Sequence, residues 1–301
     1  MAATDRLFAG VELGGTKCIC LLASDPDTVL EEIRLPTGEP AGTLRAVAAI
    51  LSGWQRHHSI SSLGVAAFGP IERDPRSSRF GRVLTTPKPG WSGVDLLASF
   101  RHLGLPIAFD TDVNGAALAE ARWGAARELH DFAYITVGTG IGVGTVVDGR
   151  PLGRHAHSEA GHLRIGRLPG DDWPGACPFH GDCVEGLASG AAIAARTGHP
   201  AASLPDDDAV WEPVGHAIAT LCHNLALSVV PQRILLGGGI ALGRPALLSR
   251  VRRTFAAGLA GYATEVVANG DIDTYLMPPA LGRRAGPLGA IALAQRALER
   301  C

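Results

Sequence analysis

Two short apolar segments joined by a glycine-rich turn occur twice in this 301-residue chain, and this repeated plan constrains the fold more than any other feature. The turns are Gly14-Gly15-Thr16-Lys17 and Gly138-Thr139-Gly140-Ile141-Gly142. The flanking apolar segments are residues 7–13, 18–22, 132–137 and 143–147. Short apolar runs on either side of glycine are typical of β-hairpins. The sequence therefore predicts two α/β domains of related plan, with a cleft between them.

The segments that follow each hairpin predict further strands and helices. Strands are predicted at 29–35, 63–68, 105–109 and 234–236, and helices at 44–54, 94–103, 114–123, 184–196, 210–230, 245–259 and 287–300. The length of the chain indicates two domains. We assign them to residues 1–118 and 119–286, with the last helix, about 287–301, packing back on the first domain.

Composition excludes several classes of function. Charged residues make up 19% of the chain and the formal net charge is −2, so neither nucleic acid nor a membrane is expected as a partner. The six cysteines are not spaced as a disulfide framework. No secretory signal and no apolar run of about 18 residues is seen, so we expect a cytoplasmic protein.

A cluster of cysteine and histidine predicts a metal site. Cys177-Pro-Phe-His180-Gly-Asp-Cys183 lies in a glycine-rich segment without apolar periodicity, and His162 precedes it. Two thiolates and two imidazoles match a closed tetrahedral Zn²⁺ shell, which predicts a structural zinc-binding loop rather than a catalytic metal. His155 or His157 could replace His162, and buried cysteines can also be ordinary small apolar residues.

Three glycine-rich turns together favour a nucleotide ligand. They comprise the residues Gly14, Gly15, Thr16, Lys17, Thr136, Gly138, Thr139, Gly140, Gly237, Gly238 and Gly239. The first turn is not a Walker A motif, because the chain has no Gly-Lys pair, and the second is followed by a strand where a dinucleotide fingerprint needs a helix. In any one turn, glycine could be needed only because the backbone adopts a positive φ. Three such turns in one chain indicate a bound nucleotide, with its phosphates and base lying against the glycine backbone.

Asp112 is the candidate general base. It lies between a predicted strand and a predicted helix, in Asp110-Thr111-Asp112-Val113-Asn114. An aspartate at that place can be a helix N-cap. It can also be a carboxylate at the end of a strand that accepts a proton from substrate.

Read together, these motifs resemble those of the ROK family of bacterial sugar kinases, in the actin and hexokinase superfamily. The matching motifs are Glu12-Leu-Gly-Gly-Thr-Lys17, Thr111-Asp112-Val-Asn114, Val137-Gly-Thr-Gly-Ile-Gly142, Glu159-Ala-Gly-His162, Cys177 to Glu185, and Leu236-Gly-Gly-Gly-Ile240. The resemblance implies a two-domain actin-like ATPase (ribonuclease H-like) fold and transfer of the ATP γ-phosphoryl group to a hexose. It implies Asp112 as base, Glu12 near Mg²⁺, and sugar contacts from Thr111, Glu159, His162 and Glu185.

Within this family the chain looks like the fructokinase branch. The similarity lies in Phe68-Gly-Pro-Ile71, in Thr85-Thr-Pro-Lys-Pro-Gly-Trp91, in Thr111 where many glucokinases have Asn, and in His180 where many have a third Cys. Fructose is therefore the expected substrate. Glucokinase and N-acetylhexosamine kinase are the alternatives within the family.

Two readings without catalysis also stay open. One is a sugar-sensing ROK regulator, which would carry an N-terminal DNA-binding domain. We expect no room for such a domain before the strand at 7–13. The other is a zinc-stabilised sugar-binding protein, which the two phosphate loops and Asp112 disfavour. A homodimer is the expected assembly, because dimers are the commonest closed oligomers.

Overall fold

The structure, a computed structural model, describes residues 6–153, 155–262 and 271–299, and the chain divides into two compact units. The first unit contains the described residues up to Arg127, residues 151–157 and the described residues from Arg284 on. The second contains Glu128–Arg150 and the described residues between Ser158 and Arg283. The predicted boundary at 118/119 lies inside a helix, and the units separate after Arg127.

The first unit is built on a five-stranded mixed sheet of order β3-β2-β1-β4-β5. The strands are β1 (Leu7–Leu13), β2 (Lys17–Ala23), β3 (Val29–Pro36), β4 (Ile60–Ala67) and β5 (Ile107–Thr111). β2 pairs antiparallel with β1 and β3, whereas β4 pairs parallel with β1 and β5. Helices α1 (Pro40–His57) and α2 (Asp112–Trp123) follow β3 and β5. This topology brings the carboxyl ends of β1, β4 and β5 to one edge of the sheet.

The C-terminal helix, Ala285–Glu299, packs against this first sheet and against α2. We label it α9. Its approach depends on glycine: a side chain at Gly64 of β4 would collide with the carbonyl of Ala290, and Gly289 lies against the backbone of Gly115. At Gly64 and Gly289 the neighbouring backbone is too close for a Cβ atom, so these two glycines fix how α9 packs on the sheet and on α2.

The second unit has a five-stranded mixed sheet of order β10-β9-β6-β7-β8. Its strands are β6 (Phe132–Val137), β7 (Ile141–Val147), β8 (Arg150–Pro151), β9 (Arg233–Gly237) and β10 (Leu276–Met277). Counted from β8, this is the strand order of the first sheet, with β6 in the place of β1. The helices are α3 (Val184–Ala188), α4 (Gly190–Thr197), α5 (Trp211–Ser228), α6 (Gly239–Gly243), α7 (Pro245–Leu259) and α8 (Ile272–Tyr275).

Two predicted helices differ in the structure. The segment 94–103 forms two short 3-10 turns, Leu97–Ser99 and Arg101–Leu103, instead of one helix. The predicted helix 184–196 is interrupted at Ser189, whose backbone is extended and whose hydroxyl accepts a hydrogen bond from Ala192 N at 3.1 Å. Serine in that conformation is a favourable N-cap, so it begins α4 instead of continuing α3. Over the described ranges, no helix combines the length and apolar character needed to cross a membrane.

Candidate active site and metal cluster

Asp112 is the first residue of α2 and directly follows β5. The N-cap of α2 is Thr111, whose buried Oγ1 accepts a hydrogen bond from Asn114 N at 3.2 Å. The capping role is therefore filled by Thr111, and the Asp112 carboxylate accepts hydrogen bonds from local backbone, including Val113 N at 2.8 Å. Burial raises the pKa of Asp112 to about 6. A carboxylate with these properties is suited to accept a proton near neutral pH.

Asp110 lies two residues away but is occupied by structural contacts. Its Oδ1 accepts hydrogen bonds from Asn114 Nδ2 and Thr111 N, each at 2.8 Å. Nη1 of Arg73 lies 3.3 Å from the same oxygen, and both side chains are nearly buried. Asp110 thus stabilises the β5–α2 junction, whereas Asp112 has no arginine or asparagine partner among the contacts described.

Glu12 lies near the end of β1, close enough to Asp112 to respond to its charge. Burial and then the Asp112 carboxylate raise the pKa of Glu12 to about 7. Gly286, in the first turn of α9, lies directly against the Glu12 carboxylate and has no room for a side chain. Neighbouring carboxylates that are partly buried favour a divalent cation between or beside them.

The first glycine-rich turn is held by contacts that the sequence did not reveal. Gly14 N donates to Lys17 O at 3.0 Å, closing the hairpin between β1 and β2. Thr37 Oγ1 donates to Gly14 O at 2.7 Å, and Lys88 Nζ donates to Gly15 O at 2.5 Å. Gly15 has no atom within 4 Å of where a Cβ would be, so its backbone is open to a ligand.

Lys88 belongs to the Thr85–Trp91 segment that the fructokinase resemblance singled out. The segment is anchored by the fully buried Trp91, whose Nε1 donates to Gly38 O at 3.1 Å. Thr16 and Lys17 are exposed at the turn itself. The structure therefore brings this segment and the first candidate phosphate loop together.

The second turn joins β6 and β7 in the second unit. Thr136 is on β6, and Thr139 is exposed at the turn. Gly138 N donates to Gly140 O at 3.0 Å and its carbonyl accepts from Gly190 N, the first residue of α4, at 2.8 Å. A Cβ at Gly138 would meet nothing within 4 Å. This turn thus offers open backbone beside the start of a helix, which is favourable for phosphate.

The three consecutive glycines after β9 differ from one another. Gly237 is packed against Tyr134, and a side chain at Gly238, whose φ is +89°, would collide with the backbone of Val137. Gly239 begins α6 and has open space where its Cβ would be. Glycine at 237 and 238 is therefore needed by the fold, and only Gly239 presents unobstructed backbone.

The four residues predicted to bind metal lie together. The possible ligand atoms of His162, Cys177, His180 and Cys183 all lie within 4.8 Å of one another. Nδ1 of His162 is 3.6 Å from Cys177 Sγ and 3.5 Å from Cys183 Sγ, and His180 Nδ1 is 3.7 Å from Cys177 Sγ. Tetrahedral Zn²⁺ with ordinary bond lengths places sulfur and nitrogen ligands about 3.6 Å apart. The donor set and its spacing fit that ion.

His155 and His157, the alternatives to His162, lie in the first unit. His155 Nδ1 is 3.0 Å from Asp74 Oδ2, and His157 Nε2 accepts from Ile71 N at 2.9 Å. Neither is a member of the described cluster.

Glu185 connects the cysteine and histidine cluster with the second glycine-rich turn. Its Oε2 accepts a hydrogen bond from Ile141 N at 2.9 Å, and its Oε1 lies 3.8 Å from His162 Nε2. The turn Ala160–His162 packs so closely on β7 that a side chain at Gly161 would collide with the Ile141 carbonyl. Glu159 precedes this turn and is exposed. His162, Glu185 and Glu159 thus belong to one region of the second unit.

Comparisons with known proteins agree with this architecture. The chain matches the ROK family over residues 8–297. It is 39% identical over 297 residues to a fructokinase of Zymomonas mobilis, covering 96% of both chains. A fructokinase of Pediococcus pentosaceus is 37% identical over 294 residues, covering 97% of this chain and 99% of that one. The solved ROK family glucokinase of Streptomyces griseus, in complex with glucose and AMPPNP, gives a TM-score of 0.76 at 25% identity, covering 96% of this chain and 99% of that chain.

Proposed function

This chain belongs to the ROK family, and we propose that it is an ATP-dependent kinase that converts fructose to fructose 6-phosphate. The observation that carries the proposal is similarity along nearly the whole chain to proteins named fructokinases. The Asp112 carboxylate supports the kinase part, because phosphoryl transfer to an alcohol needs one base and otherwise mainly positioning.

In the proposed reaction Asp112 accepts the proton of a fructose hydroxyl. The hydroxyl oxygen then forms a bond to the γ-phosphorus of ATP, the bond between that phosphorus and the β,γ-bridging oxygen breaks, and ADP leaves. Asp112 fits this step because α2 is capped by Thr111 and leaves the Asp112 carboxylate available. Glu12, whose carboxylate is buried near Asp112, would lie near Mg²⁺, which would neutralise phosphate charge.

The nucleotide would be held mainly by backbone. Gly14, Gly15, Thr16 and Lys17 in the first unit, and Thr136, Gly138, Thr139 and Gly140 in the second, are the proposed phosphate contacts. Open space at Gly15, Gly138 and Gly239 supports this assignment. Gly237 and Gly238 would act indirectly, by shaping the turn that presents Gly239 to adenosine.

We assign a structural Zn²⁺ to His162, Cys177, His180 and Cys183. Coordination through His162 Nδ1 would direct Nε2 of the same ring toward Glu185 and the sugar. In this proposal the metal holds the segment that carries Glu159, His162 and Glu185, whose side chains would bind hexose hydroxyls. All four ligand positions are filled by protein, so the metal would not activate water.

The test is a coupled assay of ADP release with fructose, glucose, mannose and N-acetylmannosamine. We expect kcat/KM for fructose to exceed that for each other sugar by about tenfold or more, because polar mismatch in a closed site costs roughly 1–3 kcal/mol. Asp112→Asn prepared in parallel controls for host kinases. A preference for glucose or N-acetylmannosamine would contradict the substrate while keeping the kinase, and sugar binding without ADP release would support a non-catalytic family member.

A further inference from the structure

The first glycine-rich turn has its carbonyl groups paired and its amide groups free. Gly14 O accepts from Thr37 Oγ1 at 2.7 Å, and Gly15 O accepts from Lys88 Nζ at 2.5 Å. Thr16 O accepts from Thr37 N at 3.0 Å. Among the residues that the structure describes, neither Gly15 N nor Thr16 N donates a hydrogen bond to the protein, and both residues are exposed. Protein donors therefore occupy the carbonyls of the turn and leave its amides for a ligand.

The planarity of the peptide bond connects these carbonyl contacts with the direction of the amides. In a trans peptide unit the C=O and N–H groups point to opposite sides. The contact of Lys88 with the carbonyl of Gly15 therefore directs Thr16 N–H to the side away from Lys88. The contact of Thr37 with the carbonyl of Gly14 directs Gly15 N–H in the same manner. Successive free amides in one turn form a favourable site for an anion.

The turn needs these donors to keep this orientation. Gly14 and Gly15 lack side chains, so the peptide units that they form can rotate at low cost. Lys88 is the charged donor of the set, and hydrogen bonds to charged groups are stronger than neutral ones. Its Nζ contacts the Gly15 carbonyl and lies 3.5 Å from the carbonyl of Thr37, and it forms no ion pair within the described part of the chain. Its charge therefore acts on the turn and not on a carboxylate.

The composition of the chain also distinguishes Lys88. Lys17 and Lys88 are the two lysines among 27 basic residues, and both lie at this turn. The planar fork of arginine suits carboxylate and phosphate groups, whereas lysine is a compact charge on a flexible chain. A compact donor is what a single backbone carbonyl requires. The chain thus has lysine, and not its usual arginine, where a cation must bind one carbonyl.

We propose that Lys88 is a positioning residue for the nucleotide, which holds the Gly15–Thr16 peptide unit so that Thr16 N–H faces a phosphate group of ATP. Thr37 has the same role for Gly15 N–H. This inference rests on the proposed kinase function. It adds that donors from two other segments of the first unit, and not the glycines alone, set the direction of the phosphate-binding amides.

The test measures AMPPNP binding to the full chain by calorimetry with Mg²⁺ present, together with KM for ATP and for fructose. Lys88→Met keeps the apolar part of the side chain and removes its charge and its donors. We expect Kd for AMPPNP and KM for ATP to rise by about tenfold or more, because a charged hydrogen bond is lost. KM for fructose and the melting temperature should stay close to wild type. Lys88→Arg, which keeps a charged donor, should recover most of the nucleotide affinity.

Arg82→Met is the matched control. Arg82 is an exposed cation of the same unit, and its Nη1 donates to the carbonyl of Gly93 at 3.2 Å. Its loss removes the same kind of bond from a carbonyl outside the turn, so nucleotide affinity should stay at the wild-type value. Thr37→Val removes only the hydroxyl donor to Gly14 O. It should weaken AMPPNP binding less than Lys88→Met does, because the lost donor is neutral.

The outcomes separate this inference from the proposed function. Equal nucleotide affinity in Lys88→Met and wild type would overturn the inference and leave the kinase proposal intact. A rise in KM for fructose instead of KM for ATP would also overturn it, because Lys88 would then serve the sugar. Wild-type protein that does not bind AMPPNP would contradict the proposed function itself, and this inference with it.

Discussion

Asp112 and Asp110 are two carboxylates of one short segment with different surroundings. Asp110 is paired with Asn114 and Arg73, whereas the Asp112 carboxylate has only a local backbone contact among the hydrogen bonds described. We expect Asp112→Asn to lower kcat by about 10²–10⁴, because the shape is kept and the proton acceptor is lost. Thr111 still caps α2, so the melting temperature should not fall. A variant with near-normal kcat would remove Asp112 from the mechanism.

The pKa of Asp112 gives a pH prediction of definite sign. Its pKa of about 6 is raised by burial, so the carboxylate is ionised above pH 6 and protonated below it. The ionised form is the base, and we therefore expect kcat/KM to fall by about tenfold per pH unit below pH 6. The pKa of the neighbouring Glu12 is about 7. The acidic side of the pH profile of kcat/KM therefore gives apparent pKa values that belong to Asp112 and Glu12 together. A flat kcat/KM from pH 7 to pH 5 would contradict the assignment.

The sequence identifies residues of the candidate site when the residues that they contact are close to them in sequence. Thr111 and Asp112 stand out because a strand meets a helix there. The sequence offered Asp112 as an N-cap, and in the structure Thr111 has that role. Lys88 and Thr37 were missed as supports of the first glycine turn, since Lys88 contacts a carbonyl 73 residues away. Such a contact depends on the complete fold and has no local signature.

Among the chain's elements, the β6–β7 turn allows a test of nucleotide binding. A side chain at Gly138 would meet no protein atom within 4 Å, so Gly138→Val should fold normally and exclude phosphate by its volume. We expect KM for ATP to rise more than KM for fructose. Gly42→Val is the control, because Gly42 is exposed in α1 and has similar free space. Equal KM values in Gly138→Val and wild type would show that this turn does not bind the nucleotide.

Gly238 is unsuitable for the same experiment, although its motif looks equivalent in sequence. Its φ of +89° is in the left-handed region, and its missing side chain leaves room for Val137. Substitution there would disturb the contact between β6 and the β9 turn before any ligand is affected. The sequence identified the glycine clusters but not which glycine serves the fold.

Element prediction succeeded where periodicity is long and failed where it is short. Helix Pro245–Leu259 has the predicted bounds, and the hairpins around both turns are present. The two-residue strands β8 and β10 have no periodic pattern from which to predict them. The interruption between α3 and α4 at Ser189 was not predicted, because serine can occur within a helix or as the N-cap of the next one.

At the scale of the whole molecule, both units have the same strand order, with a glycine-rich hairpin at the centre of each sheet. The sequence predicted the two glycine-rich hairpins and a related plan for the two domains. In the structure α9 contacts β1, β4 and α2 of the first unit. The sequence could not predict which strands flank each hairpin. That order is fixed by pairing between segments far apart in sequence, such as β6 with β9, where Phe132 pairs with Arg233.

If the proposed Zn²⁺ holds the sugar-binding side chains of the second unit, the affinity for fructose should depend on the zinc content of the protein. His162 and Glu185 are joined to the cluster and to β7, so loss of the metal should loosen both side chains at once. We expect about one Zn²⁺ per chain by elemental analysis. Removal by a chelator should raise KM for fructose roughly ten- to hundredfold, the range seen when support around a metal site is lost.

Substitutions distinguish the ligands from the nearby histidines. Cys177→Ser should lose zinc and show the same rise in KM for fructose as the chelated wild type. His162→Ala should lose zinc and show a larger rise, because His162 is also a proposed sugar contact. His155→Ala and His157→Ala should retain zinc, because these residues contact Asp74 and Ile71 in the first unit. Zinc added back should restore KM for chelated wild type but not for Cys177→Ser. Fully active protein without zinc, or Cys177→Ser with unchanged KM and metal content, would exclude a structural metal that organises the sugar site.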